Sequence, residues 1–335
     1  MNAKPVFILG SERSGSNLLR KLLGNHRDLS APVSPHFLDA FYPITPFYGN
    51  VPENMIELLG DMAGYSNHQY TNWKLKASPE EILKKYSPTG FMSAYDALHS
   101  MKAVEDGKKF YVSKDNHVFN HIDLINGYYK DSFRLVYLCR DLRDHTASWM
   151  KTPLFLKSPM QVALKWRDEQ RKCLLIEENF KGQVFRLKYE DLVTDGARSM
   201  KEVIAFLGLE WDENCAQTKK ENAPEAKGNI FWKNLEKPIM KDNFNKYKEE
   251  LSSRDIRVIE AVAKAEMEQL GYKLESRGDF RRHPRIQQIE EILRARKTTR
   301  IAQKLLDGEM KELKSKIEAL NKIKTARFKA YPYNY

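Results

Sequence analysis

The sequence predicts an α/β fold, a central parallel sheet with helices on both faces, carrying a helical extension at its C-terminal end. Three observations support this. Short apolar runs alternate with segments of helical period along most of the chain. The first run enters a Gly/Ser-rich turn and then a helix, "VFILGSERSGSNLLRKLL" over 6–23. Beyond Tyr272 the texture changes: a polar stretch punctuated by Gly and Pro, "KLESRGDFRRHPR", leads into a Glu/Lys/Arg/Leu/Ala-rich segment.

Taken in order, residues 6–9 read as a buried strand and 16–25 as a helix with Leu18, Leu19, Leu22 and Leu23 on one face. Residues 31–52 read as a loop rich in Pro and aromatics, and helical segments separated by polar turns fill much of 53–105. "KKFYVS" (108–113) reads as a strand, 117–130 as a helix and "FRLVYLC" (133–139) as a buried strand. "DLRDHTASWMK" (141–151) begins a further helix, and "VFRLKYEDL" (184–192) reads as a strand followed by an acidic turn. Strands alternating with helices in this way build parallel sheets through right-handed crossovers.

The 335 residues divide into an α/β domain over 1–275 and a basic helical extension over 281–335. In the extension a helix is predicted from 286 to about 324. Ile286, Ile289, Ile292 and Leu293 share one face, and Leu305, Leu306, Met310, Leu313, Ile317 and Leu320 continue the stripe, with Gly308 as a kink point. The stripe is narrow, so the helix is expected to lie on the body, to pair with another helix, or to touch an anionic membrane or a partner. The extension holds fifteen Lys/Arg against six Asp/Glu and so supplies +9 of the net +11. The rest of the chain is nearly neutral, which argues against nucleic-acid binding by the body. No run approaches the roughly 18 apolar residues of a membrane span. Cys139, Cys173 and Cys215 show no paired spacing, so neither a disulfide framework nor a zinc site is expected, and a reducing, cytoplasmic setting is.

Chemistry concentrates at two places. Gly10 and Gly15 bracket a turn whose backbone N–H groups face the start of a helix near Ser16, a ready anion site. A Walker loop would place Lys and Ser/Thr after the second glycine, whereas Ser16 and Asn17 stand there and the cation is Arg13, inside the loop. That argues against ATP hydrolysis. Arg140 directly follows the 133–139 run, and Ser148 lies eight residues on, about two helical turns. An arginine fork and a hydroxyl so placed converge on one phosphate. Two phosphate sites on neighbouring strands imply a nucleotide phosphorylated in two places. His117 and His121 have metal-like spacing but no third ligand in sight, so no metal is expected.

These elements together resemble the sulfotransferase family, whose donor is 3′-phosphoadenosine 5′-phosphosulfate. "RSGSN" (13–17) resembles its 5′-phosphosulfate loop and "RDLRDHTAS" (140–148) its 3′-phosphate motif. "RLKYEDLVTD" (186–195) with "IAFLGL" (204–209), and 243–272 ending in "LGY", resemble its later segments, so the likeness spans roughly 5–275. It implies a three-layer fold of the P-loop nucleotide-binding kind. It also implies the nucleotide as co-substrate without a metal, held by Arg13, Ser14, Gly15, Ser16, Asn17, Arg140, Ser148 and Tyr189, and an acceptor bearing a hydroxyl: sugar, peptide tyrosine, lipid or small metabolite. Ser16-Asn17 replaces the family's Thr-Thr and Leu142 its Pro; "SKDNHVF" (113–119) stands where the small-molecule branch has K-T-H-L-P. Arg13 and Lys114 are expected to stabilise charge on the leaving phosphate. For the base that takes the acceptor proton, His36 ranks first, standing where related branches keep a carboxylate, and His117 second, with Asp115 at hand to orient a histidine. The aromatics Phe37, Phe41, Tyr42, Phe47 and Tyr48 are expected to wall the acceptor pocket or to pack on themselves. The competing readings are a nucleotide kinase or other phosphotransferase on the same scaffold, and a non-catalytic binding protein that uses its basic tail.

Overall fold

The computed structural model describes residues 4–152, 158–217, 238–276 and 311–330. Its centre is a five-stranded sheet in which β1 (Lys4–Leu9) lies in the middle. On one side of it come β3 (Phe110–Ser113) and then the short β2 (Leu29–Ser30); on the other come β4 (Arg134–Cys139) and β5 (Val184–Lys188). Every pair is parallel, with Val6 beside Val112 and Arg134, and Cys139 beside Lys188. The order is therefore β2-β3-β1-β4-β5, so the connections that leave the adjacent strands β1 and β4 run toward opposite edges of the sheet. In open α/β sheets, ligands bind at the carboxyl ends of the strands flanking such a point.

Alternation along β1 feeds two cores. Val6 and Ile8 face α1 (Ser16–Gly24), through Leu19, Leu22 and Leu23, and α10 (Gly196–Phe206), through Met200, Val203 and Ile204. Phe7 and Leu9 face the other layer, which contains α3 (Met55–Ser66), α5 (Phe91–Glu105) and α8 (Pro159–Asn179). Between them run α4 (Pro79–Tyr86), α6 (Ile122–Tyr129) and α7 (Leu142–Met150). The C-terminal part of the body holds α11 (Tyr247–Glu250), α12 (Ser253–Val262) and α13 (Lys264–Gln269).

Three local expectations change. Residues 31–52 are not a bare loop: they hold α2 (Phe37–Ala40) and a 3-10 helix at Tyr42–Tyr48. Phe37, Phe41 and Tyr48 are fully buried, Phe37 meeting Trp73 and Tyr95 edge-on at 5.7 and 6.1 Å. Rings packed this way are core, each worth roughly 1.5–3 kcal/mol of burial, and are not available as a pocket wall. The strand read at 184–192 stops at Lys188, and Tyr189 begins the short helix α9 (Tyr189–Thr194). The long helix α8 fills a stretch that the period reading leaves unassigned. Its start was nonetheless written in the sequence: Ser158 accepts from the Gln161 N–H, Gln161 reaches back to the Ser158 N–H, and Pro159 opens the helix.

The tail helix is described over α14 (Lys311–Ala330), and it lies on the body against α3 and the 3-10 helix. Residues 286–310, with Gly308 and most of the predicted stripe, fall outside the described residues. Within α14 the expected stripe holds only in part, through Leu320. Ile317 is exposed, and Lys316, Leu320, Ile323 and Arg327 face the protein. Polar anchors select that face: Arg327 pairs with Glu57 and Asp61, and Lys316 lies over the rings of Tyr65 and Tyr70.

Candidate active site

Four strand ends meet at one edge of the sheet. From β1 comes the loop Gly10–Gly15, closed by Ser14, whose hydroxyl donates to the Ser11 carbonyl at 2.6 Å. Gly15 has φ +98, and a Cβ there would lie 2.4 Å from the Tyr189 ring, so only glycine lets the loop rest on that ring. Ser16 and Asn17 open α1 directly behind it. Arg140, at the end of β4, is buried; it donates to the carbonyls of Arg13 and Asn243 at 3.2 and 3.3 Å and stacks 4.3 Å over Tyr189. Asn243 in turn donates to the Tyr189 hydroxyl at 2.6 Å. Arg13 Nε donates to Ser148 Oγ at 3.4 Å. Arg13, Gly15, Arg140, Ser148 and Tyr189, far apart in sequence, thus converge.

Arg13 and Arg140 are close enough to repel each other, with the charge of Glu12 opposing that effect at Arg13. Burial, and then the charge of Arg140, lower the pKa of Arg13. Arg140 Nε and His145 Nδ1 are buried with no hydrogen-bond partner among the described residues. His145 is driven well below the usual imidazole range by burial and then by Arg140, Lys165 and Arg13. Two neighbouring cations with an orphaned N–H suit an anionic ligand. The adjacent acids make their hydrogen bonds elsewhere: Asp141 binds Arg143, and Asp144, which also feels the charge of Arg140, accepts the N–H groups of Asn245 and Tyr247.

A second cluster lies on the other side of the loop, at the end of β3. Lys114 Nζ donates to Asn116 Oδ1 at 2.8 Å, Asn116 Nδ2 donates to Glu12 Oε1 at 2.9 Å, and Lys165 from α8 reaches Glu12 Oε2 at 3.4 Å. Burial, with the charges of Arg20 and Arg13 adding and those of Glu12 and Asp115 opposing, pushes the Lys114 amine down to about 8. Asp115 is buried and accepts from Ser34 Oγ at 2.6 Å and from the Leu38 N–H at 3.3 Å.

The two candidate histidines differ in chemistry. His36 Nδ1 accepts the Asn116 N–H at 3.1 Å, which leaves the ring proton on Nε2. Burial, then the charges of Lys114 and Lys316, hold His36 well below the usual imidazole range, so it is neutral and its Nε2–H donates. His117 is arranged the other way. Its Nδ1–H donates to Asp39 Oδ2 at 2.9 Å, which leaves an accepting lone pair on Nε2, 3.9 Å from Glu12. The bond to Asp39 raises the His117 pKa, with burial opposing. Burial works to raise Asp39, but the bonds from His117 and from His121 Nε2 outweigh it and hold the carboxyl well below its ordinary range. Arg13, His36 and His117 all stand in left-handed backbone, with φ 68, 61 and 54.

A family model, that of the sulfotransferase family, matches residues 5–213. The chain belongs to the sulfotransferase family. A curated relative, an uncharacterized protein of Aquifex aeolicus (strain VF5), is 23% identical over 255 residues, which is 73% of this chain and 30% of the relative; the chain thus spans under a third of that relative's length. Two solved structures share the fold. The sulfotransferase domain from the curacin biosynthetic pathway has a TM-score of 0.57 at 17% identity, over 82% of this chain and 99% of that one. The sulfotransferase domain from the Synechococcus PCC 7002 olefin synthase has a TM-score of 0.57 at 20% identity, over 82% and 96%.

In this member of the family the sequence-predicted residues fall into two groups, Arg13 to Asn17 with Arg140, Ser148 and Tyr189, and Lys114 with His36 and His117. Several neighbours escaped sequence reasoning: Glu12, Asp39, Asn116, Lys165, Asn243 and Lys316. Asp39 lies 78 positions from His117, and no local spacing signals such a pair. Lys316 reads as one more charge in a basic tail. Among the described residues no group of three or more His, Cys, Asp or Glu is arranged to hold a metal ion, and no helix is long and apolar enough to cross a membrane.

Proposed function

We propose that the protein transfers a sulfuryl group from 3′-phosphoadenosine 5′-phosphosulfate to the hydroxyl of an acceptor. The observation that carries this reading is the convergence of Arg13, Arg140, Ser148 and Tyr189 at the carboxyl ends of β1, β4 and β5. When bound, the nucleotide supplies a sulfuryl group activated by its phosphate leaving group. Arg140 and Ser148 would hold the 3′-phosphate, and Tyr189 fixes the plane of Arg140 from below. The loop N–H groups, Arg13 and the hydroxyl of Ser16 would hold the 5′ end, with Asn17 beside them. Lys114, partly discharged near neutral pH, adds positive charge at the leaving oxygen.

His117 is the group we assign as base. Asp39 fixes its tautomer with the Nε2 lone pair free, the logic of a carboxylate-oriented imidazole. His36, holding its proton on Nε2, is suited to donating a hydrogen bond to the acceptor instead. Calorimetry without added metal tests the nucleotide. The 3′,5′-bisphosphate should bind, while 5′-AMP and ATP bind more weakly. A preference for ATP would favour the phosphotransferase reading. Transfer of labelled sulfate across sugar, peptide, lipid and small-metabolite acceptors then identifies the acceptor.

A further inference from the structure

We propose that the tail helix α14 is a working part of the acceptor side, and that Lys316 is a positioning residue for the loop that carries His36. The functional half of this inference rests on the sulfuryl-transfer reading; the physical coupling between Lys316 and His36 does not.

The helix is anchored along its length. Ser315 Oγ meets His68 Nε2 at 3.2 Å, Arg327 Nε donates to Asp61 at 2.6 Å and its Nη1 to Glu57, and Phe328 meets the Phe47 ring edge-on at 5.6 Å. Between these anchors Lys316 is only 3% exposed. Its amine lies 4.7 and 5.2 Å from the ring centroids of Tyr65 and Tyr70 and donates to the Pro35 carbonyl at 3.4 Å. Pro35 immediately precedes His36. The same loop is also held by Asp115, through Ser34 Oγ and the Leu38 N–H. Residues 34–38 are therefore tied both to a carboxylate just past the end of β3 and to an amine from far along the chain.

A lysine is an expensive way to fill such a place. An apolar side chain would cover Tyr65 and Tyr70 without the cost of desolvating an amine. The amine adds one hydrogen bond to a loop carbonyl and a positive charge beside His36. The groups facing it are His36 in the loop, Lys114 and Asp115 at the end of β3, and Tyr65, His68 and Tyr70 from α3 and the turn after it; Glu312 lies one turn back on its own helix. Burial and then Lys114, with Asp115 opposing, push the Lys316 amine down to about 7. Below that pH the bond to Pro35 is charge-assisted, but because burial lowers the pKa the docked helix favours the neutral amine, and docking gains as pH rises above it. While charged, Lys316 helps to keep His36 neutral.

The test uses the full chain and the variants Lys316→Met, Lys316→Arg and, as a control on the exposed face of the same helix, Lys322→Met. The first readout is the titration of His36 by NMR. Lys316→Met should raise its midpoint, while Lys316→Arg and Lys322→Met leave it low. The second readout is kinetic. Lys316→Met should lower kcat about tenfold by loosening the loop while affinity for the 3′,5′-bisphosphate stays within about twofold, and Lys316→Arg should restore most of the rate. An unmoved His36 midpoint in Lys316→Met, or an equal loss of nucleotide affinity and turnover, would overturn the proposal. If Lys316→Met fails to fold, Lys316→Gln and the rescue by Arg decide it through the same readouts. A protein that sulfates nothing in any variant overturns the sulfuryl-transfer reading, while the His36 titration still decides the coupling.

Discussion

In the cluster proposed to hold the donor, Arg13, Arg140 and Tyr189 leave the carboxyl ends of three adjacent strands, and the pairing of those strands sets their separation. In the cluster proposed to serve the acceptor, His36, Asp39, Asn116, His117, Lys165 and Lys316 come from four separate stretches of chain, and each is held by a contact from another stretch. The strands that carry the first cluster are fixed by backbone hydrogen bonds, and a few side-chain contacts from Ser148 and Asn243 complete it. The second is fixed by a polar network, in which removing one member leaves others unsatisfied. Changes on the donor side should therefore act locally and on nucleotide binding. Changes on the acceptor side should spread through the network and act on turnover.

The largest expected effect tests whether the aromatic run of 37–48 belongs to the acceptor side at all. Phe37→Ala should destabilise the fold by about 3–5 kcal/mol, because the ring is fully buried among Phe41, Trp73 and Tyr95. Chemical denaturation measures it. A near-normal midpoint with a raised acceptor KM would return the ring to the pocket wall. Next, His117→Ala should cut turnover about 100-fold or more and spare bisphosphate binding. The proton linkage can be read in the same experiment. His117 is raised by its bond to Asp39, so the rate should fall as pH drops through a value above the ordinary imidazole range. Asp39→Asn should move that acid limb to lower pH. A limb that stays in place would detach Asp39 from the base. The smallest effect belongs to the donor side. Arg140→Ala should weaken the bisphosphate by about 1.5–3 kcal/mol while leaving 5′-AMP nearly unchanged. Equal losses for both nucleotides would remove the 3′-phosphate from this arginine.

The same contrast explains what could be read in advance. The strand, turn and helix of 4–24 follow from four apolar residues, two glycines and leucines at helical spacing, all local signals. Arg140 and Ser148 were legible because a strand end and the next helix turn a sequence offset into a distance. Asp39, Asn116 and Lys165 were not legible, since their partners lie in other segments and no periodicity marks a hydrogen bond across 78 or more positions. Two histidines could be named as candidate bases, and the preference for His117 proposed above rests on the proton on each ring, which depends on a single backbone N–H from Asn116 and a single carboxylate from Asp39. The tail was legible only in part for a related reason. Leu320 of the apolar stripe packs inward, but Ile317 is exposed, because burying the stem of Lys316 over two tyrosines and pairing Arg327 with two acids rotates the contact face.

The left-handed backbone at Arg13, His36 and His117 has a consequence for anyone who would breed this protein. For a residue with a Cβ such a conformation costs about 1–2 kcal/mol, whereas glycine adopts it freely and asparagine nearly so. A library sorted on heat resistance alone would drift toward Gly or Asn at these three positions. It would lose a guanidinium and two imidazoles on the way, so the hardiest descendants would be the ones with the least chemistry left.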